Sequence, residues 1–553
     1  MRAFLVLLAL TSAWGFQPAP EVRELTHHSQ VLNADRAYRV ALPPSYDGSQ
    51  KRYPVLYWLY GYQQSPPDFK GPLGAFCASH EVIGVAIGPV DTVGEYPLYL
   101  PELIDHIDRT LRTVPDRAHR AVSGSGIGGF LALWSAGKYP DLFGSASTLH
   151  GYVEAPIGPR GFDLAFRNDA VLANYDGVRL LPQAASLEAL LEFHAKAFAD
   201  PPAKPAPFSH TDVYPNFAVW GWEAASNRAQ PGYTVLENVS ARGFRSAVRE
   251  SLPDGPAIPA VRLSIASPAR TYPPGSAQTV TYIRLRDGKL RHETRKADAE
   301  GRLTFDLDGE AYEVGVGAGP VLAASGYEIS DAAWATAGKP VHLRVKFWNK
   351  GAARSGTVML QWESPDEGVK FAALSSRLFG LAPGESVMLP VTFTAETGLP
   401  SVRVVAVEGA TRMPLQVPVF PPAEPATVFQ IVDGLTVTVW QHGRQPVDLT
   451  FGEGNRDNHA APGESFAILF PDGEYLRPAE LFTNDSCVEN SVRGSDTWSE
   501  YITEHYSLPT IRADCPPGHV VHMLARVPVP DAPPRYYSLE FPVWYRTATQ
   551  PRP

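Results

Sequence analysis

Cysteine is scarce in this chain: three in 553 residues, so at least one stays unpaired. Charge is scarce too. Asp, Glu, Lys and Arg make up 19% of the residues, below the ~25% usual in soluble chains, whereas hydrophobics at 44% are ordinary and argue against intrinsic disorder. There is no long basic run, and 48 basic against 58 acidic side chains leave a formal charge of −10. Nucleic acid and anionic membrane surfaces are therefore poor partners. No apolar stretch approaches the ~20 residues that cross a bilayer. Glycine, at 46, keeps no fixed period, which excludes collagen, but proline is abundant at 53. Since proline cannot donate to a sheet ladder, many prolines among short apolar runs suit β-rich modules with edges and turns.

The N-terminus reads Met1-Arg2, an apolar run Ala3 to Leu10, then Thr11-Ser12-Ala13-Trp14-Gly15. A charged start, a short apolar stretch, and the small residues Ala13 and Gly15 just before a cut predict a signal peptide over 1–15. The expected location is secreted, periplasmic or cell-surface associated. Cysteines fit that compartment: Cys487 and Cys515 can close a disulfide, while Cys77 is expected as a buried thiol. No CxxC or HxxxH accompanies the pair, so neither a metal nor another cofactor is expected.

From Val31 to Gly151 short apolar runs alternate with helical stretches. Tyr53 to Leu59 and Val82 to Ile87 read as strands buried on both faces. Leu103, Ile104, Ile107 and Leu111 form one helical stripe, and Gly128 to Lys138 an apolar helix. This rhythm predicts an α/β domain with a doubly wound sheet over 24–215. Beyond it the pattern is strand-like throughout, with Ala218 to Trp222 read as one strand carrying Trp220 and Trp222 on one face. Three modules are expected: a β-rich one over 216–321, an immunoglobulin-like β-sandwich over 322–421, and a C-terminal β-rich one over 426–545 holding the disulfide. Pro418 to Pro425 reads as a linker between the last two.

The chemistry should lie at Arg120 to Phe130, a strand, a Gly-rich turn and a helix. In a nucleophile elbow the residues two before and two after the nucleophile must be small, and the next amide helps hold an oxyanion. Position 126 meets that requirement, with Gly124 and Gly128 as neighbours. Around Ser125 the β-branched Ile127 would crowd the turn, and Ser123 precedes it. The position that fits best holds glycine.

Tyr38 to Tyr46, Tyr53 to Gly61, Asp116 to Gly124 and Lys138 to Phe143 together resemble the esterase D-like family of α/β hydrolases, which includes feruloyl and acetylxylan esterases. The resemblance implies an α/β-hydrolase fold. The family's GxSxGG falls on Gly124-Ser125-Gly126-Ile127-Gly128-Gly129, its serine on Gly126, and its oxyanion-loop histidine on Tyr60. Tyr60, Gly61 and Ile127 thus occupy the oxyanion positions. The family aspartate has no counterpart after Gly177 to Leu181, because Asp176 precedes that strand. His210 is the candidate base.

Two functions compete on these residues. The favoured one is an exported, non-catalytic member of the esterase family, a binding or scaffold protein whose partner is a glycan or a cell-surface or extracellular protein. The alternative is an active carboxylic-ester or carbohydrate-ester hydrolase using Ser125 and His210.

Overall fold

The computed structural model describes residues 19–545 except 62–65, 89–95, 152–153, 158–163, 251, 253–254, 259, 397–400, 440–446, 473–474, 490–491, 495–504 and 530–531. The expected signal peptide lies outside the described residues. The chain forms two compact units: one of residues 1–152 and 177–203, the other of 153–176 and 204–553.

The first unit is built on a seven-stranded sheet. Its strands are β1 (Glu21–Ser29), β2 (Ala34–Leu42), β3 (Val55–Leu59), β4 (Ile83–Ile87), β5 (Arg120–Gly126), β6 (Ser145–Gly151) and Arg179–Leu181. They run in the order β1-β2-β4-β3-β5-β6 and then Arg179–Leu181. β1, β2 and β4 pair antiparallel, and every pairing from β4 onward is parallel. β3 and β4 are buried at every residue, which is why they read as continuous apolar runs. Helices α1 (Pro72–Ser79) and α4 (Leu187–Ala199) share a core with one sheet face. There Leu73, Phe76, Leu190 and Leu191 meet Leu56, Trp58 and Ala121. Cys77 lies in this core, its thiol pushed up to about 12 by burial. Helices α2 (Tyr96–Thr110) and α3 (Ile127–Lys138) pack on each other, and α3 is buried from Gly128 to Lys138.

A polar chain runs through this unit beneath the sheet. Ser123 Oγ lies 2.9 Å from Ser147 Oγ, and the imidazole of His194 on α4 bridges Ser147 (Nε2, 2.7 Å) and Ser145 (Nδ1, 2.9 Å). All four side chains are buried, so each hydroxyl and ring nitrogen needs a protein partner. Burial pushes the imidazole down to about 3.

The second unit is β-rich. A six-stranded and a four-stranded sheet spanning residues 208–316 enclose Trp222, Phe244, Tyr282 and Phe305. Four- and five-stranded sheets spanning 322–420 enclose Phe347, Trp362 and Phe393. A third core, with Phe466, Met523 and Phe541, holds the Cys487–Cys515 disulfide, Cα atoms 5.1 Å apart. The first two cores are joined by an ion pair in which Lys350 Nζ lies 3.1 Å from Glu313 Oε2, both side chains nearly inaccessible. Among the described residues no helix is long and apolar enough to cross a membrane.

Two details differ from the expectation. Ala218 to Trp222 is not one strand: Asn216–Val219 and Trp222–Ser226 pair antiparallel, with Val219 opposite Trp222. Trp220 (φ 52°) and Gly221 (φ 81°) form the turn between them, both left-handed as a tight hairpin requires. Nor is Pro418 to Pro425 a free linker, since the strand Thr411–Phe420 runs through Pro418 and Glu424–Pro425 is a strand too. Pro418 pairs with Ser401 on one side, while the short strand on its other side begins pairing only at Val419. The missing N–H therefore faces an edge.

These buried groups yield two expected outcomes. The unfolded chain protonates its histidine below about 6.5, whereas folded His194 refuses the proton down to about 3. The unfolded state thus binds more protons in that window, and stability falls as pH falls, by up to about 1.4 kcal/mol per pH unit. Hydrogen exchange under urea, read on peptides from β6 and α4 between pH 7 and 4, should show this slope flattened in His194→Gln. Separately, Lys350→Met should cost the second unit about 3–5 kcal/mol by leaving Glu313 buried and unpaired. Urea unfolding should show much of that restored by adding Glu313→Gln.

Candidate active site

The turn from β5 into α3 has the backbone of a nucleophile elbow. Gly126 closes the strand at φ 55°, ψ −129°, and α3 starts at the next residue. The close approach around it is set by glycines. A Cβ on Gly124 would lie 2.5 Å from the carbonyl oxygens of both Gly128 and Leu59, and one on Gly128 would press closer still on the Leu59 carbonyl. One on Gly129 would come within 2.8 Å of the Gly151 Cα. Side chains are thus excluded two residues before and after position 126, which identifies 126 as the tip of the turn.

Ser125 is still part of the sheet. It pairs opposite Leu149 on β6, and the register shifts only between it and Gly126. By strand alternation its side chain shares the sheet face of Ser123, the face on which the His194 chain runs. Ser125 is half-buried.

At the positions expected to hold an oxyanion, the Tyr60 N–H donates to the Ile87 carbonyl at 3.2 Å, so it is spent on the strand ladder. The Tyr60 phenol lies over Gly88, where a Cβ would sit 2.8 Å from its hydroxyl, and burial raises its pKa above the usual tyrosine value. Gly61 is buried, and residues 62–65 after it lie outside the described residues. The amide of Ile127 opens α3, the place where helix N–H groups are unspent and partial positive charge collects.

After the strand Arg179–Leu181 no carboxylate occurs until Glu188, already inside α4. The chain there is pinned to β6: Thr148 Oγ1 donates to the Pro182 carbonyl (2.7 Å) and the Ala184 N–H to the Thr148 carbonyl (2.9 Å). Asp176 belongs to the second unit and is committed elsewhere. The Arg403 guanidinium lies 3.4 Å from its Oδ1 and 2.7 Å from Asp366 Oδ1. Burial, relieved only in part by that shared arginine, pushes Asp176 up to about 6.

His210 also belongs to the second unit, on the strand Phe208–Asp212. Its Nε2 lies 3.4 Å from Asp212 Oδ2, and its ring rests 5.2 Å from that of Phe217. The side chain is wholly inaccessible, and its Nδ1 has no hydrogen-bond partner among the described residues. The structure therefore brings Gly126, Ile127, Tyr60 and Gly61 together within one unit. It places His210 in the other, paired with a carboxylate two residues along its own strand.

Sheet order, helix placement and this turn define an α/β-hydrolase-like region. Residues 95–190 match the family model described as "Putative esterase", so this stretch of the chain is esterase-like. Among solved structures, the chain is similar to a ferulic acid esterase, with 28% identity over 25% of this chain and 62% of that one (TM-score 0.23). It is also similar to an S-formylglutathione hydrolase from Staphylococcus aureus, with 17% identity over 25% of this chain and 62% of that one (TM-score 0.22). A ferulic acid esterase from Anaeromyces mucronatus shares 16% identity over 33% of this chain and 91% of that one (TM-score 0.24). The chain thus spans 62% of the length of the first two.

The elbow's packing gives a direct check. Gly128→Ala should destabilise the first unit by about 1–3 kcal/mol through forced displacement of α3. Ser125→Ala should cost about 1 kcal/mol or less. Urea unfolding of the two variants beside wild type separates these outcomes.

Proposed function

We propose that this protein is an exported, non-catalytic relative of the esterases that serves as a binding or scaffold protein, with a glycan or an extracellular protein as its partner. One observation carries the reading: the residue at the tip of the elbow, Gly126, has no side chain. An acyl-transfer enzyme of this architecture needs a nucleophile at that point, a base within hydrogen-bond reach and a group orienting the base. Here the first is absent. The candidate acid Asp176 is held by Arg403, and the candidate base His210 is inaccessible. The turn keeps the backbone of an elbow, and the Ile127 amide stands at the start of α3.

Export is supported by the Met1 to Gly15 pattern and by the disulfide, a bond that persists in oxidising compartments. The β-rich second unit supports a binding role, because it adds large surfaces to the esterase-like region without adding a recognisable catalytic motif. That analogy is one of fold, and fold alone does not name a ligand.

Fluorophosphonate labelling read by intact mass tests the proposal. Wild type should carry no adduct. Turnover of simple aryl esters by wild type should equal that of Ser125→Ala. Wild-type turnover that disappears in Ser125→Ala or in His210→Ala would sink the reading in favour of a displaced nucleophile.

A further inference from the structure

The C-terminal core holds a cluster that the sequence pattern does not announce. Cys487, Cys515 and His519 each offer one donor atom, and all three lie within 4.8 Å of one another. Both cysteines are buried, at 3% and 5% exposure. His519 is held by a nearly buried carboxylate, with its Nε2 2.7 Å from Asp485 Oδ1 and 2.9 Å from Oδ2. Asp485 is itself fixed, accepting the Cys487 N–H at 2.9 Å and donating its own N–H to Thr483 Oγ1 at 2.9 Å.

With the disulfide opened, two thiolates and an imidazole are the ligand types of a soft metal site. Asp485 fixes the orientation of the imidazole, as a carboxylate does for a metal-ligating histidine. Donor atoms around a tetrahedral zinc ion sit roughly 3.3–3.8 Å apart, so enclosing an ion requires the bonded sulfurs to separate after reduction while the His519 donor stays within its present 4.8 Å of them. We propose that reduction of the Cys487–Cys515 disulfide converts this cluster into a binding site for a zinc-type divalent cation, ligated by Cys487, Cys515 and His519 and oriented by Asp485. A dithiol supplies two electrons and two protons, the S–S bond breaks into two thiols, and the dithiol leaves as its own disulfide. Binding of M²⁺ then releases the two thiol protons and forms two metal–thiolate bonds. Water takes the fourth position on the partly exposed His519 side. The loop between residues 487 and 515 is therefore tied in both states, by sulfur–sulfur or by sulfur–metal–sulfur bonds. The inference stands apart from the esterase question, since all its residues lie in the last module.

The test uses the full chain and Co²⁺ as probe. After reduction with a phosphine and buffer exchange, wild type should bind one equivalent of Co²⁺, with thiolate-to-cobalt charge-transfer absorption and the visible bands of a tetrahedral ion. Oxidised wild type should show neither. His519→Ala should bind at least tenfold more weakly, and Asp485→Asn about tenfold more weakly, with circular dichroism confirming that both remain folded. Zn²⁺ should bleach the cobalt spectrum and raise the melting temperature of reduced wild type. A reduced wild type that takes up no stoichiometric cobalt, folded or not, overturns the proposal. So does a folded His519→Ala that binds as tightly as wild type, because the sulfurs alone would then account for uptake.

Discussion

The first unit depends on two missing Cβ atoms. Gly124 and Gly128 let the end of β5 and the first turn of α3 close on the Leu59 carbonyl at the end of β3, and that closeness seats α3 deep enough to be buried along nearly its whole length. The same closeness fixes the chain's path through Gly126, whichever residue stands there. A backbone constraint of this kind is independent of the side chain at the tip. It explains how the shape of the turn is held with a glycine at its tip.

Residues whose types suggest chemistry are mostly spent on holding the fold. Asp176 and Asp366 share the Arg403 guanidinium, Glu313 is neutralised by Lys350, and His210 stands beside Asp212. Taking such groups out of water costs several kcal/mol apiece, so each must keep its partner. His194 follows the same rule in uncharged form, trading solvent for the hydroxyls of Ser145 and Ser147.

What could be read from the sequence was what has a short-range cause. The Gly-x-Gly-x-Gly spacing around 126 encodes a close backbone approach directly. The unbroken apolar runs of β3 and β4 encode burial on both faces. The His194 chain was not legible, because its members come from two strands and a helix some 50 residues on. Its one local signal is Ser145 and Ser147 at strand period in an otherwise apolar setting, which calls for an inward polar partner. The hairpin at Trp220-Gly221 was hidden because tryptophan is a strand former rather than a left-handed turn residue. Pro418 misled for a related reason: proline frequency signals a linker, whereas one proline facing a free edge disturbs a strand hardly at all.

The backbone angles at Gly126 have a consequence for stability. A φ of 55° with ψ near −129° suits glycine, whereas a residue with a Cβ bears strain there of about 1–3 kcal/mol. An active enzyme carries that burden for the sake of a presented hydroxyl. Glycine adopts this conformation at no steric cost. A side chain at position 126 would weigh on stability, and the fold by itself favours the glycine that stands there.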